Sequence, residues 1–148
     1  MKALFKKVFK YHHETNQKLI QVIEENQREV TERTFELYAH ILNAHQIWMA
    51  RIMGRPERGV FERIALNDWQ RLNEQNYHDS LEVLEQVPLE GLISYRNSRG
   101  VFHQKNVVDI LFHVGNHTTH HRGQVISDLR SKGITPPVTD YIFYEGKP

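Results

Sequence analysis

The chain has 148 residues, 39% hydrophobic and 25% charged, a length and balance that suit one soluble domain able to bury a core without metal or disulfide staples. Its net charge is +1 with the two signs interspersed, so the basic stripe of a nucleic-acid binder is missing. With no cysteine it has no disulfide, no thiolate ligand and no cysteine nucleophile; with no long apolar run it offers neither a signal-peptide core nor a membrane span, and a cytoplasmic location is expected.

Residues 2 to about 26 read as an amphipathic helix, with Leu4, Phe5, Val8, Phe9, Thr15, Leu19, Val22 and Ile23 recurring at three- and four-residue steps. A polar stretch leads to a second helix that starts near Thr31 or Thr34, either of which can cap it, and that runs to Met53 before Gly54-Arg55-Pro56. This helix carries His40 and His45. Beyond the Gly54 to Gly59 loop and the short apolar pair Val60-Phe61, a third helix is expected from about Asn67, its cap, to Val87. Trp69, Leu72, Tyr77, Leu81, Leu84 and Val87 mark its buried side, and Pro88 ends it.

Residues 91 to 105 break the helical rhythm. Leu92-Ile93-Ser94-Tyr95 and Val101-Phe102-His103 flank Asn97-Ser98-Arg99-Gly100, which reads as a small β-hairpin. Asn106 then caps a fourth long helix, with Asp109 as the acidic half of a capping-box-like start, and Gly133 ends it in the left-handed conformation ahead of Pro136-Pro137. The tail from Ile134 to Pro148 holds Tyr141, Ile142, Phe143 and Tyr144, and is expected to fold back over the helices. The fold class that follows is all-α: a four-helix bundle over residues 1–148, with a long crossover and a small hairpin before the last helix.

The fourth helix carries the strongest chemical signal. His113, His117 and His121 follow i, i+4, i+8, each turned about 40° and raised about 6 Å from the last, so two adjacent members can hold one metal ion. His120 points elsewhere. A third ligand must come from a facing helix, and the second helix offers His40 or His45. Periodicity by itself favours His45, which shares a stripe with Tyr38, Ile41, Trp48 and Ile52, while His40 lies on the flank with Leu37, Ala44 and Ile47.

Asn116-His-Thr-Thr-His-His-Arg-Gly-Gln124, His40-Ile-Leu-Asn-Ala-His-Gln-Ile-Trp48 and the ending Gly133 to Tyr144, with Pro136-Pro137 and Asp140-Tyr141, resemble the DinB/YfiT-like metalloprotein superfamily over essentially the whole chain. The resemblance implies a divalent metal, zinc or nickel, on three side chains: His117 and His121 from the last helix and His40, eight residues before the tryptophan, from the second. His45 falls where relatives often carry a carboxylate, so His45 and His113 stand as alternative or supporting groups. Arg122 is expected in a structural ion pair, Gly123 at a close helix contact and Gln124 in a polar contact.

Three imidazoles leave the ion's charge uncompensated, which suits an anionic nucleophile at an open position: water with its pKa brought to about 7, or a thiolate. The resemblance implies the second use, a metal-dependent thiol S-transferase-like enzyme acting on small electrophiles with a low-molecular-weight thiol as cosubstrate. The other readings are a non-catalytic metal-binding stress-response or interaction bundle and a metal-dependent hydrolase. For the hydrolase, carboxylates are scarce near the histidines, only Asp109 and Asp128 sharing their helix. A homodimer is expected as the assembly, with Trp69 and Tyr77 one candidate contact surface.

Overall fold

The computed structural model describes residues 1–97 and 99–146, and four helices dominate it: α1 Lys2–Glu25, α2 Glu32–Met53, α3 Trp69–Gln86 and α4 Val107–Ser131. The Thr31 hydroxyl accepts the Thr34 amide 3.2 Å away and so caps α2, and Gly54, at φ 63°, closes its other end. α3 begins one residue later than a cap at Asn67 implies. Leu66–Asp68 form a 3-10 turn, and Asp68, not Asn67, occupies the cap position. At α4 the cap position is Asn106 as expected, but its side chain makes no capping hydrogen bond. Gly133 at φ 74° ends that helix, with the Ile134 amide reaching back to the Leu129 carbonyl at 3.1 Å.

Side-chain contacts set the helix directions. Asn16 meets Asn73 and His13 meets Tyr77, so α1 and α3 run antiparallel. Asp128 meets Thr31 and Trp48 meets His113, so α2 and α4 also run antiparallel. Asn76 meets the Leu42 carbonyl and Ser80 meets His45, so α2 and α3 are parallel neighbours. A parallel neighbour cannot be reached by a tight turn. Residues 54–68 therefore have to travel back along the bundle, and they pass over the outside of α2 on the way.

Before α4, strands β1 Leu92–Arg96 and β2 Phe102–Asn106 pair antiparallel, Leu92 opposite Asn106 and Arg96 opposite Phe102. Of the expected turn Asn97-Ser98-Arg99-Gly100, Ser98 lies outside the described residues. Tyr95 packs edge-on against Trp48, ring centroids 5.0 Å apart, which seats the hairpin on the C-terminal end of α2.

The apolar core comes in two clusters. One gathers Phe5, Phe9, Met49, Ile52, Val83, Leu84, Val107 and Leu111; the other gathers Leu19, Ile20, Ile23, Tyr38, Ile41, Trp69, Leu72, Val125 and Leu129. Between them lies a layer of buried polar side chains: His12, Asn16, His45, Asn73, Asn76, Ser80, Thr118 and Arg122. This layer corrects the buried side expected for α3. Val83, Asn73, Asn76 and Ser80 face inward, whereas Tyr77, Leu81 and Val87 are only partly covered. Trp69 is 1% exposed and stacks on Tyr38 with centroids 4.7 Å apart, so it offers nothing to a contact surface.

The tail folds back along α1 as expected. The Tyr11 hydroxyl donates to the Thr139 carbonyl, and the Tyr144 hydroxyl donates to Glu14 at 2.6 Å. Ile142 and Phe143 nonetheless remain exposed. Lys147 and Pro148 lie outside the described residues.

Candidate metal centre

His117 and His121 project from α4 toward α2, one turn apart, and His40 meets them from the facing helix. One ring nitrogen from each of the three lies within 4.8 Å of the others. The closest approach is His40 Nε2 to His117 Nε2, 3.1 Å, and the ring centroids are 4.4 to 4.9 Å apart. Tetrahedral coordination with metal–nitrogen bonds near 2.0 to 2.1 Å places two ligand nitrogens about 3.3 Å apart, so the spacing fits one small divalent ion.

The outer nitrogens fix which lone pairs face inward. His40 Nδ1 lies 3.3 Å from the Val60 carbonyl, which can only accept, so the proton sits on Nδ1 and Nε2 is left with its lone pair. His121 Nδ1 donates in the same way to Gln124 Oε1 at 2.7 Å. Both rings thus present Nε2 to the common centre, each oriented by a hydrogen-bonded partner as metal-bound imidazoles usually are. Burial, and then the neighbouring histidines, push the His117 pKa down to about 3. Burial likewise lowers that of His40. Without an ion, His117 Nε2–H can donate to the His40 Nε2 lone pair at 3.1 Å; with His117 in its other tautomer, three neutral rings present lone pairs to one point, a donor set that fits a cation.

His45 lies in a different place. It is buried, its ring packs 5.6 Å from that of Phe9, and its Nε2 is 2.7 Å from Ser80 Oγ. The serine proton goes to the Asn76 carbonyl, so Ser80 accepts from His45 and the imidazole carries its hydrogen on Nε2. His45 belongs to the polar core layer. His45 itself faces α1 and α3, whereas His40 faces α4; the stripe is split between neighbours, since Trp48 packs on His113 of α4. His113 is exposed one turn before His117, its ring 5.3 Å from Trp48 and 5.5 Å from His117. His120 is exposed.

Two further expectations are corrected. Arg122 is buried and makes no ion pair among the described residues; it bonds to Tyr11 and Asn16. The close helix contact belongs to Gly115, where a Cβ would sit 3.3 Å from His12 Nε2, whereas Gly123 has open space around it. Gln124 does make a polar contact, and its partner is the His121 ring.

A cavity of about 870 Å³ opens beside the centre. His40 and His121 form part of its wall, Phe35, Leu37, Ile64 and Leu66 supply apolar surface, and Phe61 from the crossover stacks on the His40 ring at 5.3 Å. Glu36 and Glu62 reach the same cavity from α2 and the crossover. Neither shares the helix of His117 and His121, where acidic groups are scarce; the signal in the sequence is their nearness to His40 and to Phe61.

Parallel and antiparallel neighbours in a four-helix bundle, with imidazoles converging from the second and last helices, define a class of helical proteins with a histidine-lined metal-compatible centre. The chain belongs to the DinB family, whose model matches residues 1–147. No curated protein and no solved structure matches it significantly.

Proposed function

We propose that the protein is a metal-dependent enzyme in which His40, His117 and His121 bind one divalent ion and a low-molecular-weight thiol is added to a small electrophile. The observation that carries this reading is the pair of outer hydrogen bonds, His40 to Val60 and His121 to Gln124, which aim two Nε2 lone pairs at one point beside an open cavity. An ion held there supplies Lewis acidity, which lowers the pKa of a bound thiol and keeps it nucleophilic at neutral pH.

The chain's own residues perform the rest. His40 and His121 hold the donor geometry without reorganisation, because each proton position is set by its partner. Phe35 and Leu37, half-buried, supply apolar surface on the electrophile's side of the cavity, which strengthens electrostatic interactions beside it. Arg33, Arg63, Glu32 and Glu36 line the same cavity, with Arg63 paired to Glu32 and Arg33 to Asp128, so both signs are present for a zwitterionic thiol to exchange with. Zinc or nickel is the expected metal, since imidazole ligands suit both. A homodimer completes the reading, to be checked by sedimentation, with an interface that excludes Trp69.

The test uses cobalt-substituted protein titrated with several biological thiols. A new sulfur-to-cobalt charge-transfer absorption is the expected result, and it disappears in His40→Ala. An unchanged spectrum with every thiol overturns the transferase reading. Glu36, which lines the cavity, favours hydrolysis as the second reading, Glu62 being held by Arg58 and the Gly59 amide: activity toward esters or amides without thiol, lost in Glu36→Gln, would put it first.

A further inference from the structure

The seam between α1 and α4 holds a second cavity, of about 550 Å³, on a face of α4 turned away from the histidine triad. Its outer part is apolar: Leu4 and Phe112 are exposed at the rim, and Phe5, Val8 and Leu111 line the wall. Its inner end is polar and closed, formed by Arg122, 1% exposed, and His12, 4% exposed.

Each of those side chains has one buried nitrogen without a hydrogen-bond partner among the described residues. Arg122 donates through Nη2 to the Tyr11 hydroxyl at 2.6 Å and reaches Asn16 Oδ1 through Nη1 at only 3.4 Å, while its Nε has no partner. No carboxylate among the described residues lies within ion-pair distance of it. Tyr11 cannot supply the charge, since burial raises its pKa and its hydroxyl hydrogen goes to the Thr139 carbonyl. The His12 ring, held neutral by burial and then by the Arg122 charge, leaves Nδ1 unpaired as well.

A buried guanidinium without a counter-charge is costly, and so is a buried N–H without an acceptor. Two such defects side by side, at the end of an apolar cavity, mark a place built for an anion. The missing side chain at Gly115 is part of it, because a Cβ there would press on His12 Nε2.

We propose that this cavity binds a carboxylic acid with an apolar body, its carboxylate paired with Arg122 and hydrogen-bonded by His12, its hydrocarbon lying between Leu4, Phe5 and Phe112. One guanidinium and one neutral imidazole match a single negative charge. A phosphate dianion would lack donors for its remaining oxygens, and Asp140 at the cavity rim disfavours further negative charge. The site is independent of the triad and of the chemistry proposed there.

Octanoate and its neutral counterpart octanol are the probes, with binding followed by calorimetry on wild-type protein and on His40→Ala. Octanoate is expected to bind about tenfold or more tighter than octanol, equally in both proteins. Arg122→Met, which replaces an unpaired buried charge by a side chain of similar length, is expected to lose that preference. Should this variant fail to fold, Asn116→Trp serves instead, because Asn116 is exposed and lines the same cavity; it is expected to abolish octanoate binding. Equal affinity for the two probes, a preference that survives Arg122→Met, octanoate binding untouched by Asn116→Trp, or binding lost in His40→Ala would each overturn the proposal.

Discussion

Two histidines five residues apart on one helix do different work because they face different neighbours. His40 turns to α4 and joins His117 and His121; His45 turns to the core and serves Ser80. Metal content should therefore fall from about one ion per chain to near zero in His40→Ala and stay near one in His45→Ala, read by elemental analysis beside circular dichroism. Gln124→Leu removes the acceptor that orients His121 and is expected to weaken metal binding by roughly 10- to 100-fold. His45 also makes a pH prediction. Burial, with a smaller contribution from His13, holds its pKa at about 3 against an ordinary 6.5, so its depressed value contributes stability that is fully present above pH 6.5 and is lost as pH falls toward 3. Between pH 7 and 5 this histidine should cost about 2 kcal/mol of unfolding free energy. Urea denaturation of His45→Asn, which cannot titrate, should show a correspondingly shallower dependence.

At the scale of elements, the crossover from α2 to α3 does more than connect them. Since α2 and α3 are parallel, residues 54–68 must return along the bundle, and that path lays the Val60 carbonyl and the Phe61 ring on His40. Phe61→Ala removes the stacked ring without touching the nitrogen's partner, so it is expected to keep metal content and alter access to the cavity, measured as faster metal removal by a chelator. The far ends of α2 and α4 are joined by Asp128, which accepts from Thr31 and Thr34; those hydrogen bonds hold its carboxyl below the usual carboxylate range. Thr31→Ala loses the helix cap and one of these bonds, and should cost about 1 to 2 kcal/mol in thermal unfolding.

For the whole molecule, the proposed ion bridging α2 and α4 would bind the folded chain and not the unfolded one. At an ion concentration about 100 times its dissociation constant, this linkage contributes about 2.7 kcal/mol. Chelation should accordingly lower the melting temperature by roughly 5 to 10 °C in calorimetry, and His40→Ala should show no such shift. The polar layer that divides the two apolar clusters lies level with the triad along the helices, since residues 12–16, 40–45, 73–80 and 117–122 share that height. The bundle thus concentrates its polar groups at one level and leaves the regions above and below to apolar packing.

Helix number, order and most ends, though not the start of α3, were legible in the residues, because caps, prolines, left-handed glycines and three-to-four periodicity act over a few residues and need no partner. The His117–His121 pair was legible for the same reason: its geometry belongs to a single helix. The choice of His40 was not legible from periodicity, which averages apolar positions into one buried stripe and cannot say which neighbour each flank meets. The same blindness hid Asn73, Asn76 and Ser80 inside the core, moved the close glycine contact from Gly123 to Gly115, and gave Arg122 an ion pair that it does not make among the described residues. Helix pairing decided each of these, since a side chain's partner depends on which surfaces two distant stretches of chain bring together.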